Sequence, residues 1–572
     1  MSIRTSLLPV VCLTVLGLVL ASCAPAVAPT PTPKPAAPGA PAAKPATPKP
    51  AAPAAKPATP APAAPAPTPK PAAEKPSYGG VLNISHTGDT PTYDLHQESS
   101  IISLAVLSLA YNMLIQYDPL EHTKIVADLA EKWEVSKDGL LYTFNLRKDV
   151  KWHDDKPFTS ADAKFSLDRM IFPPKGVRAP RQPHFLAVDR FEAPDPHTVK
   201  VYMKYPSASF IPMLATGWMV ICPKHVIEEK GDMKKVVMGT GPFKEKRITA
   251  GTSYEWQKNP DYFMKGRPYL DGITFYVVKD RGTRFAAFRT GQVLIYGIGE
   301  TMTVTQAKLV ERDMPNARVE TFMAYNTHDF DMNCTKPPFN DVRVRQAVSM
   351  AVDRQAAVQV LAEGDAVVGP HMPPGGLWAL PNEELLNMPG FRQPKDADRA
   401  QAKKLLAEAG YPGGLKTTLM VKSREPEVAE FMQAQLATIG IDATIDIRET
   451  GDWTQRAVKG MHDAVPLRIS LKLDDPEDIG RYHLTSAIGG QNYAHFSSKE
   501  IDDLFVKQSQ AMDPAERKKI TWELQRKLIE QAPKLKLDWF YYKKGIRKEV
   551  RDYKPGPGNY CNNKWEVVWL SK

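Results

Sequence analysis

Nineteen of the chain's 52 prolines lie between residues 24 and 76, a stretch without a single aromatic residue. No packed core can be built from such a segment. Dense proline removes backbone donors and holds the chain in polyproline II geometry, which makes a semi-rigid spacer of at most ~160 Å at about 3.1 Å per residue. What must be packed is the remaining body of 496 residues, Ser77 to Lys572. That length exceeds what one hydrophobic core serves, so two or three lobes are expected. The spacer carries six lysines against Glu74 and the leader holds Arg4, so only about +4 of the formal net charge of +10 belongs to the body. So even a balance argues against nucleic acid or a strongly anionic membrane surface as partner. A hydrophobic content of 43% with 9% aromatics excludes a disordered body and a bundle of membrane spans.

Ahead of the spacer, Leu7 to Leu20 form an apolar run of fourteen residues, followed by Ala21-Ser22-Cys23. The run is too short to span a bilayer comfortably and reads as a secretory leader. Leu20-Ala21-Ser22-Cys23 resembles the lipobox of bacterial lipoproteins, which implies cleavage before Cys23 and attachment of a diacylglycerol to its thiol. The alternative is an ordinary leader with a chance cysteine. Lipidation would place the body in the periplasm or at the cell surface, held to the membrane by Cys23 with the spacer as a stalk. Cys222, Cys334 and Cys561 are an odd number at wide spacing. They indicate neither a disulfide framework nor a zinc site.

Periodicity in the body alternates between strand and helix. Tyr142, Phe144 and Leu146 face one way on a strand and Thr143 and Asn145 the other; Val199, Val201 and Met203 repeat the pattern after a turn at Asp195-Pro196. Val344, Ala347, Val348 and Ala351 share one face of a helix predicted to open near Asn340-Asp341 and close at Gly364. Ala402, Leu405, Leu406 and Ala409 form another, stopped by Gly410 with Pro412 beyond. A third carries Val428, Phe431, Met432, Leu436 and Ile439, ends at Gly440, and leads at once into the strictly alternating strand Ile441 to Ile447. Helix, glycine stop and strand together argue an α/β lobe with helices covering a sheet.

Several segments carry a resemblance. Leu129-Ala130-Glu131-Lys132-Trp133-Glu134-Val135 runs into Tyr142-Thr143-Phe144-Asn145-Leu146-Arg147-Lys148-Asp149-Val150-Lys151-Trp152-His153-Asp154-Asp155, then Pro157-Phe158-Thr159-Ser160-Ala161-Asp162. Gly239-Thr240-Gly241-Pro242-Phe243, Asn259-Pro260-Asp261-Tyr262-Phe263, Pro268-Tyr269-Leu270-Asp271-Gly272-Ile273, Pro337-Pro338-Phe339-Asn340-Asp341-Val342-Arg343 and the closing Val568-Trp569-Leu570 follow in order. In these the chain resembles the family 5 extracellular solute-binding proteins, the peptide, nickel and opine class that serves bacterial ABC importers. The resemblance covers nearly the whole body. It implies an α/β, two-lobed fold of the type II periplasmic-binding-protein kind, with a further subdomain inserted in the first lobe, no catalytic activity and no cofactor. It also implies a division into the leader (1–22), Cys23 and the spacer (23–76), a first lobe (77–112, 236–318 and 536–572), the inserted subdomain (113–235) and a second lobe (319–535). The implied partners are a peptide or other small ligand and the permease subunits of an importer, with the binding protein a monomer.

The shared segments themselves read as structural. Trp133, Trp152 and Phe158 suit a core, Asp154-Asp155-Lys156-Pro157 a tight turn, and His153 a hydrogen-bonded histidine. Gly239-Thr240-Gly241-Pro242 lacks the Lys-Ser/Thr of a phosphate-binding loop and reads as a bend near the hinge. Arg343 and Arg345 beside Asp341 suggest ion pairs. Binding a peptide-sized ligand calls for aromatic walls and a few polar anchors. Candidates are Trp218, Phe185 in a loop with Arg178 and Arg181, Trp378 in a loop of no helical or strand period, Trp453 after Gly451-Asp452, and Asn492 with Tyr493 ahead of Phe496. For each aromatic, plain packing is the competing reading.

The segment Leu471-Lys472-Leu473-Asp474-Asp475-Pro476-Glu477-Asp478 resembles the family's Asp-Pro stretch. In peptide-binding members an acidic residue three positions before that pair holds the ligand's amino group. With Asp475-Pro476 as the pair, the position is Lys472, which would repel an ammonium in a desolvated cleft; a shift of register would bring Asp474 in its place. Pro476 breaks the ligand alternation of a calcium loop. A second departure is Leu294, where the family has an acidic residue after Gly-x-Val. His371, His483 and His495 show no metal-ligand spacing. Against a secreted hydrolase, the chain has no Gly-x-Ser-x-Gly elbow, no His-Glu-x-x-His and no glycine-rich cofactor loop. A sensor presenting a closed cleft to a receptor is the other alternative to import.

Overall fold

The alternation at 141–146 becomes the strand Leu141–Leu146, with Tyr142, Phe144 and Leu146 buried. It lies between Ala130–Val135 and Thr198–Met203 in a four-stranded antiparallel sheet completed by Val188–Asp195. This computed structural model describes residues 74–556 and 564–571. Cys23 and Cys561 lie outside the described residues. Among the described residues no helix is long and apolar enough to cross a membrane.

An eleven-stranded mixed sheet joins two lobes. Val81–His86, Phe243–Thr249, Ser253–Lys258, Gly272–Val277 and Ile295–Ile298 form one end of it, and Leu415–Lys422, Ile441–Arg448 and Ala464–Ser470 the other. Between them Ala317–Met332 and Lys534–Arg547 run antiparallel and serve both ends. Ile546 pairs with Ile295 on the first-lobe side, while Asn326 to Met332 pair with Ser470 to Ala464 on the second. The register slips between Met323 and Asn326, where Tyr325 sits at φ 54°. Such a bulge bends and twists its strand, and here it marks where the ladder passes from one lobe to the other. The four-stranded sheet is added to the first lobe: Phe144, Val199 and Trp218 share a core with Ile84, Phe275 and Ile295.

The second lobe follows from helix and stop signals. Gly414 and Gly440 open the parallel strands Leu415–Lys422 and Ile441–Arg448, which pair from Leu415 with Ile441 to Lys422 with Arg448. Their φ values are +89° and +87°, and a Cβ on Gly414 would stand 2.1 Å from the Gly440 carbonyl oxygen, so a side chain is excluded there. The helix Pro426–Ala437 buries Val428, Phe431, Met432 and Leu436, and Asp396–Glu408 buries Ala402 and Leu406 in the same core.

Three sequence expectations are corrected. The helix predicted from Asp341 to Gly364 is two helices, Val342–Ala351 and Arg354–Ala362. Val352 is extended, and the Asp353 carboxylate accepts from the N–H groups of Gln355 and Ala356, capping a new start. Apolar periodicity carries across the break because both helices bury a face in one core. Arg343 does pair with Asp341, at 2.6 Å, but Arg345 turns inward and donates to the carbonyls of Phe339 and Gln531 at 2.8 and 2.9 Å. Gly239 and Gly241 are not at the interlobe crossing. Their missing side chains let the chain lie against Leu109 to Tyr111, where a Cβ on Gly239 would come within 1.8 Å of the Ala110 oxygen.

Candidate functional site

Strand Ala464–Ser470 continues into the segment 471–478, which lies along the boundary between lobes. Leu471 donates its N–H to the carbonyl of Tyr325 at 2.8 Å, tying the segment to the bulge at the crossing. The Asp478 carboxylate accepts from the N–H groups of Lys472 and Leu473. Two contacts from this segment, and a third from Ser509 in the helix Lys499–Gln510, then reach the first lobe. Lys472 Nζ meets His184 Nε2 at 2.9 Å, Ser209 donates to Glu477 at 3.3 Å, and Ala208 N–H donates to the Ser509 carbonyl at 2.8 Å.

On one side of this segment is a cavity of about 580 Å³, a size suited to a small organic ligand. The first lobe contributes Ser99, Arg181, His184 and Trp218; the second contributes Lys422, Arg468, Lys472, Arg481, Tyr482 and Tyr493. Five of the lining side chains are basic, and no Asp or Glu is among them. Arg181 stacks over Trp218 at 4.0 Å and donates to the Leu95 and Glu98 carbonyls. Lys422 Nζ stands 4.2 Å over the Trp453 ring. Arg481 donates to the Ser470 carbonyl at 2.9 Å and to the Tyr482 hydroxyl at 2.6 Å, and lies 3.4 Å from Asp478. Arg468 reaches Glu427 at 2.7 Å. Burial, with Arg481 and Arg181 nearby, brings the Lys472 ammonium down to about 8 against the pull of Asp478. Burial and then Lys472 bring His184 down to about 3, so its imidazole is neutral and its Nε2 accepts a hydrogen bond from the lysine ammonium.

On the other side is a cavity of about 300 Å³ lined by Tyr117, His122, Tyr325, Trp378, Asp474, Asp475 and Arg517, among others. Asp475 and Arg517 form a buried bidentate pair with both distances 2.9 Å, and Arg517 also covers the Trp378 ring at 4.7 Å. Asp474 accepts from Leu377 N–H at 3.0 Å. Burial, reinforced by Asp475, pushes Asp474 up to about 6. Burial followed by Asp475 pushes Glu477 up to about 7.

The candidates from sequence therefore divide. Trp218, Lys472 and Tyr493 line the larger cavity, and Trp378 and Asp475 the smaller. Trp453 lies one layer behind the larger wall: fully buried, it donates from its indole to the Met420 carbonyl at 3.0 Å and meets the Tyr493 ring edge-on at 5.1 Å. Phe185 packs edge-on against Phe210 at 6.0 Å in the core. Asn492 is buried and braces its loop, donating to the carbonyls of Leu484 and Phe496 and accepting from Phe496 N–H. Lys422, Arg468, Arg481 and His184 were not singled out from sequence; Arg481, one turn beyond Asp478, carried the best available signal. His371 and His483 meet edge-on at 5.0 Å. Among the described residues no group of three or more His, Cys, Asp or Glu side chains is placed to hold a metal.

Two lobes joined by crossing strands, with a cavity walled by both, set the context for comparison with known proteins. The family model for the middle part of bacterial extracellular solute-binding proteins, family 5, matches residues 124–491. The chain belongs to this family. Among family relatives, a probable di/tripeptide-binding protein 5 of Pseudomonas aeruginosa is 28% identical over 84% of this chain and 94% of its own length. A glutathione-binding protein, GsiB, of Salmonella choleraesuis is 30% identical over 77% of this chain and 85% of its own. A solved structure of the ABC transporter-associated periplasmic binding protein DppA of Helicobacter pylori, in complex with the peptide STSA, is similar with a TM-score of 0.72 and 27% identity, covering 87% of this chain and 99% of that one. The α/β, two-lobed architecture expected from sequence is thus the family's.

Proposed function

We propose that this chain is a lipid-anchored extracytoplasmic solute-binding protein that captures a peptide-like or other small organic ligand between its lobes and hands it to an ABC import permease. The observation that carries the reading is the 580 Å³ cavity whose walls come from both lobes, so that a ligand can be enclosed only by bringing them together. Trp218, Lys472 and Tyr493 are the sequence-derived contacts, joined by Arg181, Lys422 and Arg481. The bulge at Tyr325 in the crossing strands is the place where the lobes would rotate. Relatives described as di/tripeptide- and glutathione-binding support a ligand of that size. The leader and Cys23 supply the anchor, and the proline spacer sets the distance from the lipid. Native mass spectrometry of the full chain, compared with its denatured mass, tests the reading. A discrete mass excess of a small solute is expected; an empty chain that also gains no thermal stability from peptides, sugars or organic acids overturns it. Loss of membrane association in Cys23→Ser is the expected result for the anchor.

A further inference from the structure

A third cavity, of about 770 Å³, shares no lining residue with the two beside the segment 471–478. It belongs to the second lobe and the strands that cross to it. One wall is Met323 and Tyr541, partners in the antiparallel ladder, with Val367 of the short strand Ala366–Val367, which pairs with Phe540 and Trp539. Another is formed by the loop 374–382 and by the helix Pro514–Gln531, which contributes Lys518 and Trp522, one turn apart. Hydrogen bonds fix that loop to the helix. The Trp522 indole donates to the Ala379 carbonyl at 2.8 Å, and Gln525 donates to the Trp378 carbonyl at 2.8 Å while accepting from Met372 N–H at 3.2 Å. Arg526 adds an ion pair to Glu384 at 2.5 Å, in the helix Asn382–Leu386 that follows the loop. The space is therefore formed before anything enters it, which spares a ligand the cost of ordering its walls.

We propose that this cavity is a second ligand site, which takes an apolar monocarboxylate with its hydrocarbon body along Met323, Val367, Trp522 and Tyr541 and its carboxylate at Lys518. Met323, Val367, Val368, Trp522 and Tyr541 are half-buried, and Leu386 is 39% exposed. Six apolar side chains thus leave area uncovered around one concavity, where hydrocarbon replaces water favourably. Lys518 is the one charged residue of the lining among the described residues. Its ammonium stands 5.2 Å from the centre of the Trp522 ring, so the charge lies against the apolar wall. A hydrocarbon carrying a carboxylate adds an ion pair there, and one carrying an ammonium meets repulsion. Gln355 and Asn382 supply neutral polar groups beside them. The assignment stands apart from the solute-binding reading above, since the cavities have no lining residue in common.

Calorimetric titration of the full chain with octanoate, butyrate and octylammonium tests both halves of the assignment. Octanoate is expected to bind at least about tenfold more tightly than butyrate, from the four further methylenes it buries. It should also bind about threefold or more tightly than octylammonium, the size of effect a partly exposed ion pair gives. Lys518→Gln is expected to erase the preference over octylammonium and keep the preference over butyrate. Val368→Phe, which fills part of the cavity, should weaken octanoate at least about tenfold; its melting temperature reports whether it still folds, and the half-exposed Lys518 serves if it does not. No binding of octanoate overturns the assignment, as does equal affinity for octanoate and butyrate or for octanoate and octylammonium. Undiminished octanoate binding in a folded Val368→Phe chain does the same. Loss of octanoate binding in Lys472→Gln would put this ligand between the lobes and overturn the second site while leaving solute binding intact.

Discussion

The two cavities flanking the segment 471–478 handle charge in opposite ways. In the smaller one the carboxylate of Asp475 is met bidentately by Arg517, and the pair is closed on itself with the Trp378 ring against the guanidinium. In the larger one five basic side chains share a wall with no acidic member. A charge satisfied within the protein fixes structure, and a charge that gathers its like around an empty space shapes what can enter. One strand extension thus parts a scaffold side, where Asp475 is braced by Arg517, from the wall of the larger cavity, where Lys472 stands.

The largest expected effect breaks the scaffold half of this contrast. Asp475→Ala leaves Arg517, 3% exposed, as a buried cation without its partner, which costs about 3–5 kcal/mol. Thermal or urea unfolding measures it. Replacing both residues by apolar ones of similar volume should recover most of the loss. If the single variant melts with the wild type, the pair is not the brace described here.

Asn492 offers the next step down. Its side chain makes three hydrogen bonds to backbone groups of Leu484 and Phe496 from a position 1% exposed. Asn492→Ala should cost about 1–3 kcal/mol, because it strands buried polar groups. Tyr493→Ala next to it should weaken ligand binding more than it lowers the melting temperature. The reverse pattern would exchange the roles of these neighbours.

What was legible in the sequence follows the same division. Segments whose structure is decided locally were readable: Gly440 ends a helix and starts a strand, and the alternation from Ile441 onward survives as the strand Ile441–Arg448. The break at Asp353 was not, since a capping aspartate in a continuous apolar period looks like a member of the polar face. Charged wall residues were harder still. Lys422 ends a strand and Arg481 sits in a short helix, both positions where a charge ordinarily faces water. Lys472 and His184 are 288 residues apart in the chain, and no local pattern reports that they meet. Aromatic residues drew attention in sequence, yet Phe185 and Trp453 are drawn into cores by the same apolar area that made them candidate walls.

The segment 471–478 also predicts a pH response of stability. Lys472 falls from 10.5 to about 8 when buried beside Arg481 and Arg181. The folded chain therefore binds fewer protons at this group than the unfolded one between those values, and its contribution to stability rises as pH rises from about 8 to 10.5. Glu477, facing Ser209, Asp475, Arg517 and Asp478, rises from 4.5 to about 7. Here the folded chain binds more protons, so its contribution to stability rises as pH falls from about 7 to 4.5. Both groups carry their unfavoured charge near pH 7 to 8. Thermal unfolding across pH measures the two limbs, and Lys472→Met should remove the alkaline limb alone. An alkaline limb unchanged in that variant would mean that Lys472 is not the group responsible.

The smallest effect on stability is expected at the rim of the basic cavity. Arg468 and its partner Glu427 are 45% and 42% exposed, and an ion pair open to water contributes at most about 1 kcal/mol. Arg468→Gln should therefore leave the melting temperature almost unchanged. Its consequence should appear in kinetics, because a rim charge steers an approaching ion without holding it once bound. For an anionic ligand, stopped-flow association at low salt should slow severalfold in the variant, with dissociation unaltered. Raising ionic strength should bring the two proteins together as the steering field is screened. If dissociation changes instead, Arg468 belongs to the holding side of the wall with Lys472 and Arg481. An increase in association rate would mean that the approaching ligand is not an anion.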